Sequence, residues 1–164
     1  MKQYIVYSLA LLLLCSFASA QDYKIENGEV KITKEIQFKT ASAELLPESD
    51  AALLIIKKYL DDKSYISLLR VEGHTDDNGN AQALQQLTEQ RALAVCKRLV
   101  ALGVDCKRII PVGFGSTKPV ADNSTPDGKA QNRRVSFINA ALRGKLIGGM
   151  PADGGGVVSG DPCN

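Results

Sequence analysis

The sequence predicts an α/β (α+β) domain with element order βαβαββ: two main helices packed on a mixed four-stranded sheet. Three observations predict it. Short apolar segments of strand character recur through the middle of the chain. Two longer segments carry apolar residues at helical spacing, each with a start or stop signal. Runs of Gly, Pro, Asn and Asp separate these segments.

Residues 1–20 read as a leader ahead of the fold. Lys2 provides the positive start, residues 4–14 form an almost unbroken apolar run, and Ala18-Ser19-Ala20 offers the small-x-small pattern cut by a signal peptidase. Cleavage after Ala20 would leave Gln21 as the new N-terminus. The run is shorter than the roughly 20 residues a bilayer span needs. Cys15 raises the alternative of an exported lipoprotein, but Leu14 is a poor fit where such proteins carry a small residue. Either reading predicts an exported chain, and cleavage after Ala20 would release it into the periplasm.

Residues 21–29 read as a polar lead-in, and residues 30–142 as the folded domain. Residues 30–38 alternate apolar and polar except at Lys34-Glu35, as a strand with one buried face does. Pro47-Glu48-Ser49-Asp50 starts a helix, with Pro in its first turn and acids at the positive end of the dipole. Leu53, Ile56 and Leu60, with Ala52, Ile55 and Tyr59, give it a buried stripe. Residues 66–72 predict a second, more deeply buried strand. A polar turn, residues 73–80, leads into a long helix from about Ala81 to Leu102, stopped by Gly103. Residues 108–112 are a third strand, 113–129 a loop, and 134–140 a fourth strand. From Arg143 onward Gly fills 7 of 22 positions and the apolar period is lost, so residues 143–164 read as a flexible tail outside the core.

Composition narrows the function. A formal charge of +2 gives no basis for binding a polyanion such as nucleic acid. Without Trp and with one His, aromatic stacking platforms and multi-histidine metal sites are disfavoured. Asp76-Asp77-Asn78-Gly79-Asn80 hints at a calcium loop, but Ala81 and Leu87 stand where an EF-hand needs Gly and a late acid. Gly113-x-Gly115 with Lys118 lacks Walker spacing, so no cofactor motif emerges. No thiol sits in an activating context for a pair with His74, which reads as a turn residue bonded to neighbouring backbone. Beyond the leader, Cys96 and Cys106 are the natural disulfide pair in an oxidising compartment, leaving Cys163 free. The alternative is that Cys96 stays reduced as a small apolar helix residue.

Arg91 carries the functional argument. It lies four residues after Leu87 and four before Val95, within the stripe that should face the sheet. A desolvated guanidinium needs a carboxylate, from the protein or from a ligand in a cleft. Asp76, at the mouth of the preceding turn, is the acid that the strand–turn–helix path could bring alongside. Such an acid and a fixed guanidinium match the ammonium and carboxylate of an amino-acid centre. A plain structural Asp–Arg pair is the simpler alternative on these residues alone. Arg133-Arg134 opens a strand, where alternation would send one side chain towards the cleft and the other away.

Several ordered motifs then match one pattern: Ile36-x-Phe38, Ser42-Ala43-Glu44-Leu45, Val71-Glu72-Gly73-His74-Thr75-Asp76, Leu87-Thr88-x-x-Arg91-Ala92, Gly113-Phe114-Gly115, Pro119-Val120-Ala121-Asp122-Asn123 and Asn132-Arg133-Arg134-Val135. Over about residues 30–140 the chain resembles the OmpA-like domain family, which includes the peptidoglycan-associated lipoproteins and the wall anchor of the flagellar stator. The resemblance implies a non-catalytic module that tethers envelope components to peptidoglycan by holding the diaminopimelate of the stem peptide. It implies Asp76 and Arg91 as the clamp on that residue's ammonium and carboxylate, with Thr40, Ala41 and Arg133 lining the same cleft. Partners would be the wall itself and outer-membrane proteins or lipoproteins. The chain departs from the pattern at Lys39, where Asp is common, at Leu84, where Asn is usual, and at Thr88, a conservative change from Ser. Lys39 and Leu84 favour the alternative of an adaptor domain that keeps the fold without the ligand; Asp76 and Arg91 oppose it.

Overall fold

The computed structural model describes residues 22–147 and 154–164. The expected leader, the cut after Ala20 and the lipid site at Cys15 lie outside the described residues. In chain order the elements are β1 (Tyr23–Glu26), β2 (Glu29–Ile32), α1 (Asp50–Asp62), β3 (Ile66–Gly73), α2 (Ala81–Ala101), β4 (Ile109–Gly113), α3 (Pro126–Asn132), β5 (Val135–Leu142), β6 (Lys145–Leu146) and β7 (Val157–Val158). Single 3-10 turns, Pro47–Ser49 and Cys106–Arg108, precede α1 and β4. Among the described residues no helix is long and apolar enough to cross a membrane.

The sheet is mixed, in the order β1-β2-β5-β3-β4-β7, with β6 on β5. β3 and β4 run parallel, and the other neighbours pair antiparallel. The four expected strands and both main helices are present, and three short strands extend the sheet. Alternation along β3 sorts its side chains between two faces. Leu69 and Val71 join Leu53, Ile56, Tyr59 and Leu60 of α1, and Val95 and Leu99 of α2, in the core. Arg70, Glu72 and the following His74 fall on the opposite face.

α2 starts on an Asn80 cap, whose side chain accepts from the Gln82 and Ala83 N–H groups. It ends before Gly103, at φ +99°. Two other glycines set its height above the sheet. Gly73 and Gly113 are register partners across β3 and β4. A Cβ on Gly73 would lie 2.3 Å from the Thr88 carbonyl oxygen, and one on Gly113 would lie 2.5 Å from the Glu89 backbone nitrogen. The helix backbone therefore rests directly on the strand ends.

Four expectations need correction. The first strand does not run over 30–38: β2 stops at Ile32, and beyond it Phe38 makes only an isolated bridge to Leu45. The lead-in holds β1, joined to β2 by Asn27-Gly28, both at positive φ as a tight hairpin requires. The stretch read as a loop, 113–129, contains the start of α3, capped by the Thr125 hydroxyl, which accepts from the Gly128 N–H at 3.0 Å. The described part of the tail is fastened. β7 pairs with β4, the Ser159 hydroxyl donates to the Glu89 carbonyl at 2.7 Å, and Gly156 packs on Phe114.

The disulfide follows from that fastening. It joins Cys106 to Cys163, with Cα atoms 5.2 Å apart, and not Cys96 to Cys106. Cys96 is a buried free thiol on the inner face of α2, and its burial pushes its pKa well up, leaving it unreactive.

Three outcomes check this architecture. Gly113→Ala should lower unfolding stability by about 3 kcal/mol in urea titration, because helix backbone must move to admit the methyl group. In oxidised protein unfolded without reductant, alkylation followed by peptide mapping should label Cys96 and neither Cys106 nor Cys163. Cys163→Ser should cost up to about 4 kcal/mol, the loop-closure value for a separation of 57 residues.

Candidate functional site: a charged cleft at the strand ends

β3, α2 and the start of β5 converge where the parallel strands end, and the polar motif residues gather there. A small cleft of about 30 Å³ is lined by Ile36, Phe38, Gly73, His74, Arg91, Arg133, Arg134 and Val135. The turn after β3 leaves Asp76 beside it, buried at 6% exposure.

Asp76 is held by two donors. Its Oδ1 accepts from the Asn78 backbone N–H at 3.1 Å, closing an Asx turn, and its Oδ2 accepts from Arg133 Nη1 at 2.6 Å. Burial pushes the Asp76 pKa up, but the Arg133 hydrogen bond, the Asn78 N–H and the charges of Arg133 and Lys129 outweigh it. The net direction is below the ordinary carboxylate value.

Arg91 is placed differently. Its Nε donates to the Ser42 carbonyl at 2.9 Å, and its guanidinium lies 4.8 Å from the centroid of the Phe38 ring. Among the described residues no carboxylate lies within ion-pair distance of it. The expected approach of Asp76 to Arg91 is therefore replaced by an Asp76–Arg133 pair, and Arg91 is the cleft-lining guanidinium that a ligand would have to satisfy. Burial lowers its pKa, and the neighbouring charge of Arg133 lowers it further, so two guanidinium groups load one cleft with positive charge.

Thr40 and Ala41 occupy the tip of a turn closed by the Lys39 N–H on the Glu44 carbonyl at 2.9 Å, with Ala41 at φ +51°. Both side chains are exposed, and they reach the site through Ser42, whose carbonyl Arg91 binds. Arg133 and Arg134 both line the cleft. Strand alternation does not separate them, because β5 begins at Val135 and Arg133 is the C-cap of α3. Arg134 donates to the Asn132 and Lys118 carbonyls. Leu84, where a polar residue was expected, packs against the turn at Gly79.

His74 is not a plain turn residue. Its backbone N–H bonds the Arg134 carbonyl at 3.0 Å, its Nε2 meets Glu72 Oε2 at 3.1 Å, and its ring stacks on Phe114 at 5.3 Å. Glu72 in turn pairs with Arg70 at 2.6 Å. Burial drives the His74 pKa down, and the Glu72 hydrogen bond opposes it without prevailing. The neutral ring suits the site: its Nδ1 has no hydrogen-bond partner among the described residues, so protonation would bury an unpaired N–H. Sequence reasoning missed this Arg70–Glu72–His74 row, although its period-two spacing was visible. It also missed Phe38 as the ring beneath Arg91. Among the described residues no group of His, Cys, Asp and Glu could hold a metal ion.

The family model of the OmpA family matches residues 37–133. The probable lipoprotein YiaD of Escherichia coli (strain K12) is 35% identical over 121 residues, 71% of this chain; the chain spans 53% of that relative's length. The structure of the cell wall anchor of the T6SS from Pseudomonas aeruginosa superposes with a TM-score of 0.61 at 29% identity, over 74% of this chain and 90% of that one. The peptidoglycan-associated lipoprotein from Burkholderia pseudomallei gives a TM-score of 0.57 at 28% identity, covering 64% and 88%.

The depressed His74 pKa makes a pH prediction. A histidine favoured neutral by the fold contributes stability that is complete above about pH 6.5 and lost as pH falls from there through its folded pKa. Urea midpoints measured from pH 7.5 to 5 should fall with acidity in the wild type. The slope should flatten in His74→Gln.

Proposed function

The chain belongs to the OmpA family, and we propose that it is a non-catalytic module that binds peptidoglycan and tethers envelope components to the wall. The observation that carries this reading is Arg91: a guanidinium lining a cleft, oriented by a carbonyl and an aromatic ring, with no carboxylate among the described residues in reach. Beside it stands an ionised, donor-held Asp76. Together they offer complementary sites for the carboxylate and the ammonium of one amino-acid centre, with diaminopimelate of the stem peptide as the ligand. Arg133 has two parts in this reading. It keeps Asp76 charged and oriented, and it adds positive charge on the carboxylate side. The relatives support the same class of function, since one is a cell wall anchor and another a peptidoglycan-associated lipoprotein. The charged groups at the cleft hold and orient a ligand, and none is a nucleophile paired with a base. The reading places the protein in the periplasm, associated with the outer membrane or the wall.

A second reading, an adaptor that has lost the ligand, draws on Leu84, which puts a buried apolar side chain where a polar group was expected.

Cosedimentation with insoluble peptidoglycan, with and without free diaminopimelate, separates the two. Asp76→Ala and Arg91→Ala should each weaken wall binding by about 30-fold or more, the loss typical when one half of a desolvated charge pair is removed. Circular dichroism melts should stay near wild type for Arg91→Ala, which breaks no ion pair among the described residues. Arg91→Lys should also bind poorly, because a point ammonium cannot grip a carboxylate bidentately. Wild-type cosedimentation in both alanine variants would sink the clamp, and indifference of the wild type to peptidoglycan would favour the adaptor.

A further inference from the structure

β2 and β5 are neighbours in the sheet, yet they meet at one register pair, Glu29 with Ile138, beside the bond from the Asn139 N–H to the Gly28 carbonyl at 2.9 Å. Beyond that pair the chain leaving β2 turns away. A groove of about 470 Å³ opens between residues 29–36 on one side and residues 130–137 on the other. Its floor includes the edge of β5 at Val135 and Phe137. Strand alternation turns their backbone groups the same way as those of Asn139, towards the gap. The bridge at Glu29 and Ile138 takes up the Phe137 carbonyl, and over Val135 and Ser136 the register partners among the described residues are those of β3, on the other edge. Two residues of strand give about 7 Å of edge, enough for roughly two residues of an extended peptide.

The charged lining is Glu29, Lys31, Lys34, Glu35, Arg133 and Arg134. Glu29 is neutralised by Lys31 at 2.6 Å. Arg134 bonds carbonyl oxygens and, among the described residues, has no carboxylate within ion-pair distance. Cations outnumber acids, so the groove favours an acidic occupant. It is also continuous with the cleft: Ile36, Arg133, Arg134 and Val135 line both.

We infer that this groove receives, extended along the open end of the β5 edge, the acidic peptide segment that flanks the amino-acid centre held at Asp76 and Arg91. The inference rests on the clamp reading and extends it. A residue within a stem peptide cannot enter the cleft without its neighbours leaving along some path. This groove supplies unpaired strand edge and positive charge at the cleft's own border.

Isothermal titration of the purified protein with free diaminopimelate and with the tripeptide Ala-γ-Glu-diaminopimelate tests it. The wild type should bind the tripeptide about tenfold more tightly than the free amino acid. In Lys31→Glu/Lys34→Glu that advantage should shrink to about threefold or less, while affinity for free diaminopimelate stays as in the wild type. Lys34→Glu alone, at an exposed side chain, should shift the advantage the same way and covers any loss of folding in the double variant. Equal affinity of the wild type for both ligands, or an advantage untouched by charge reversal, would overturn the groove and leave the clamp standing. Failure of both ligands to bind would overturn clamp and groove together. Equally tight binding of an acidic peptide that lacks diaminopimelate would overturn the inference in favour of a protein partner.

Discussion

Everything at the cleft depends on how closely α2 lies on the sheet. Two glycines side by side, Gly73 and Gly113, let the helix backbone at Thr88 and Glu89 touch the ends of the parallel strands. The contact is then locked by polar groups that a larger separation would break. The Thr88 hydroxyl accepts from the Gly115 N–H at 2.8 Å, and Gln85 donates to the Gly113 carbonyl at 2.8 Å. Arg91 sits one helical turn beyond Thr88, so its height above the strand ends is inherited from this contact. A methyl group on either glycine would therefore disturb the site as well as the core.

The electrostatics of the cleft are divided between two arginines of unlike standing. Arg133 is committed to Asp76, while Arg91 is tethered by one nitrogen to a carbonyl and braced on Phe38. That division leaves the remaining guanidinium nitrogens of Arg91 without a carboxylate among the described residues, in a place already made positive by Arg133. A carboxylate placed there would relieve that repulsion as well as accept hydrogen bonds. On the other face of β3, the row Arg70, Glu72 and His74 carries buried charge of its own, braced by Phe114.

Much of this was legible in the chain. The helix stripes, the strand at residues 66–72 and the stop at Gly103 follow from period and capping alone, because each is a local signal. Arg91 stood out because charge at an apolar position demands an explanation. Its actual relation to Asp76 was not legible, since Arg133 comes from 57 residues further along and only the fold brings it to the acid. Asn27-Gly28 was a local hairpin signal that an otherwise polar stretch concealed. The disulfide partner of Cys106 was hidden for another reason. The Gly-rich composition around Cys163 argues for chain freedom, and the sheet edge and the Glu89 carbonyl that fasten it are tertiary features.

The single register pair between β2 and β5 also has a mechanical meaning. If the start of β1 is pulled while the rest of the sheet is held fixed, tension enters through β1 and β2 and meets the sheet at Glu29 and Ile138. Bonds loaded one after another open at lower force than bonds loaded in parallel, so this hairpin would peel before β3, β4 and β5 come apart. What resists is the side-chain anchoring of Tyr23, edge-on to Tyr59 at 5.0 Å, and the buried Val30. The hairpin would act as a compliant fuse: it lengthens under strain while the strands that position the cleft stay in register.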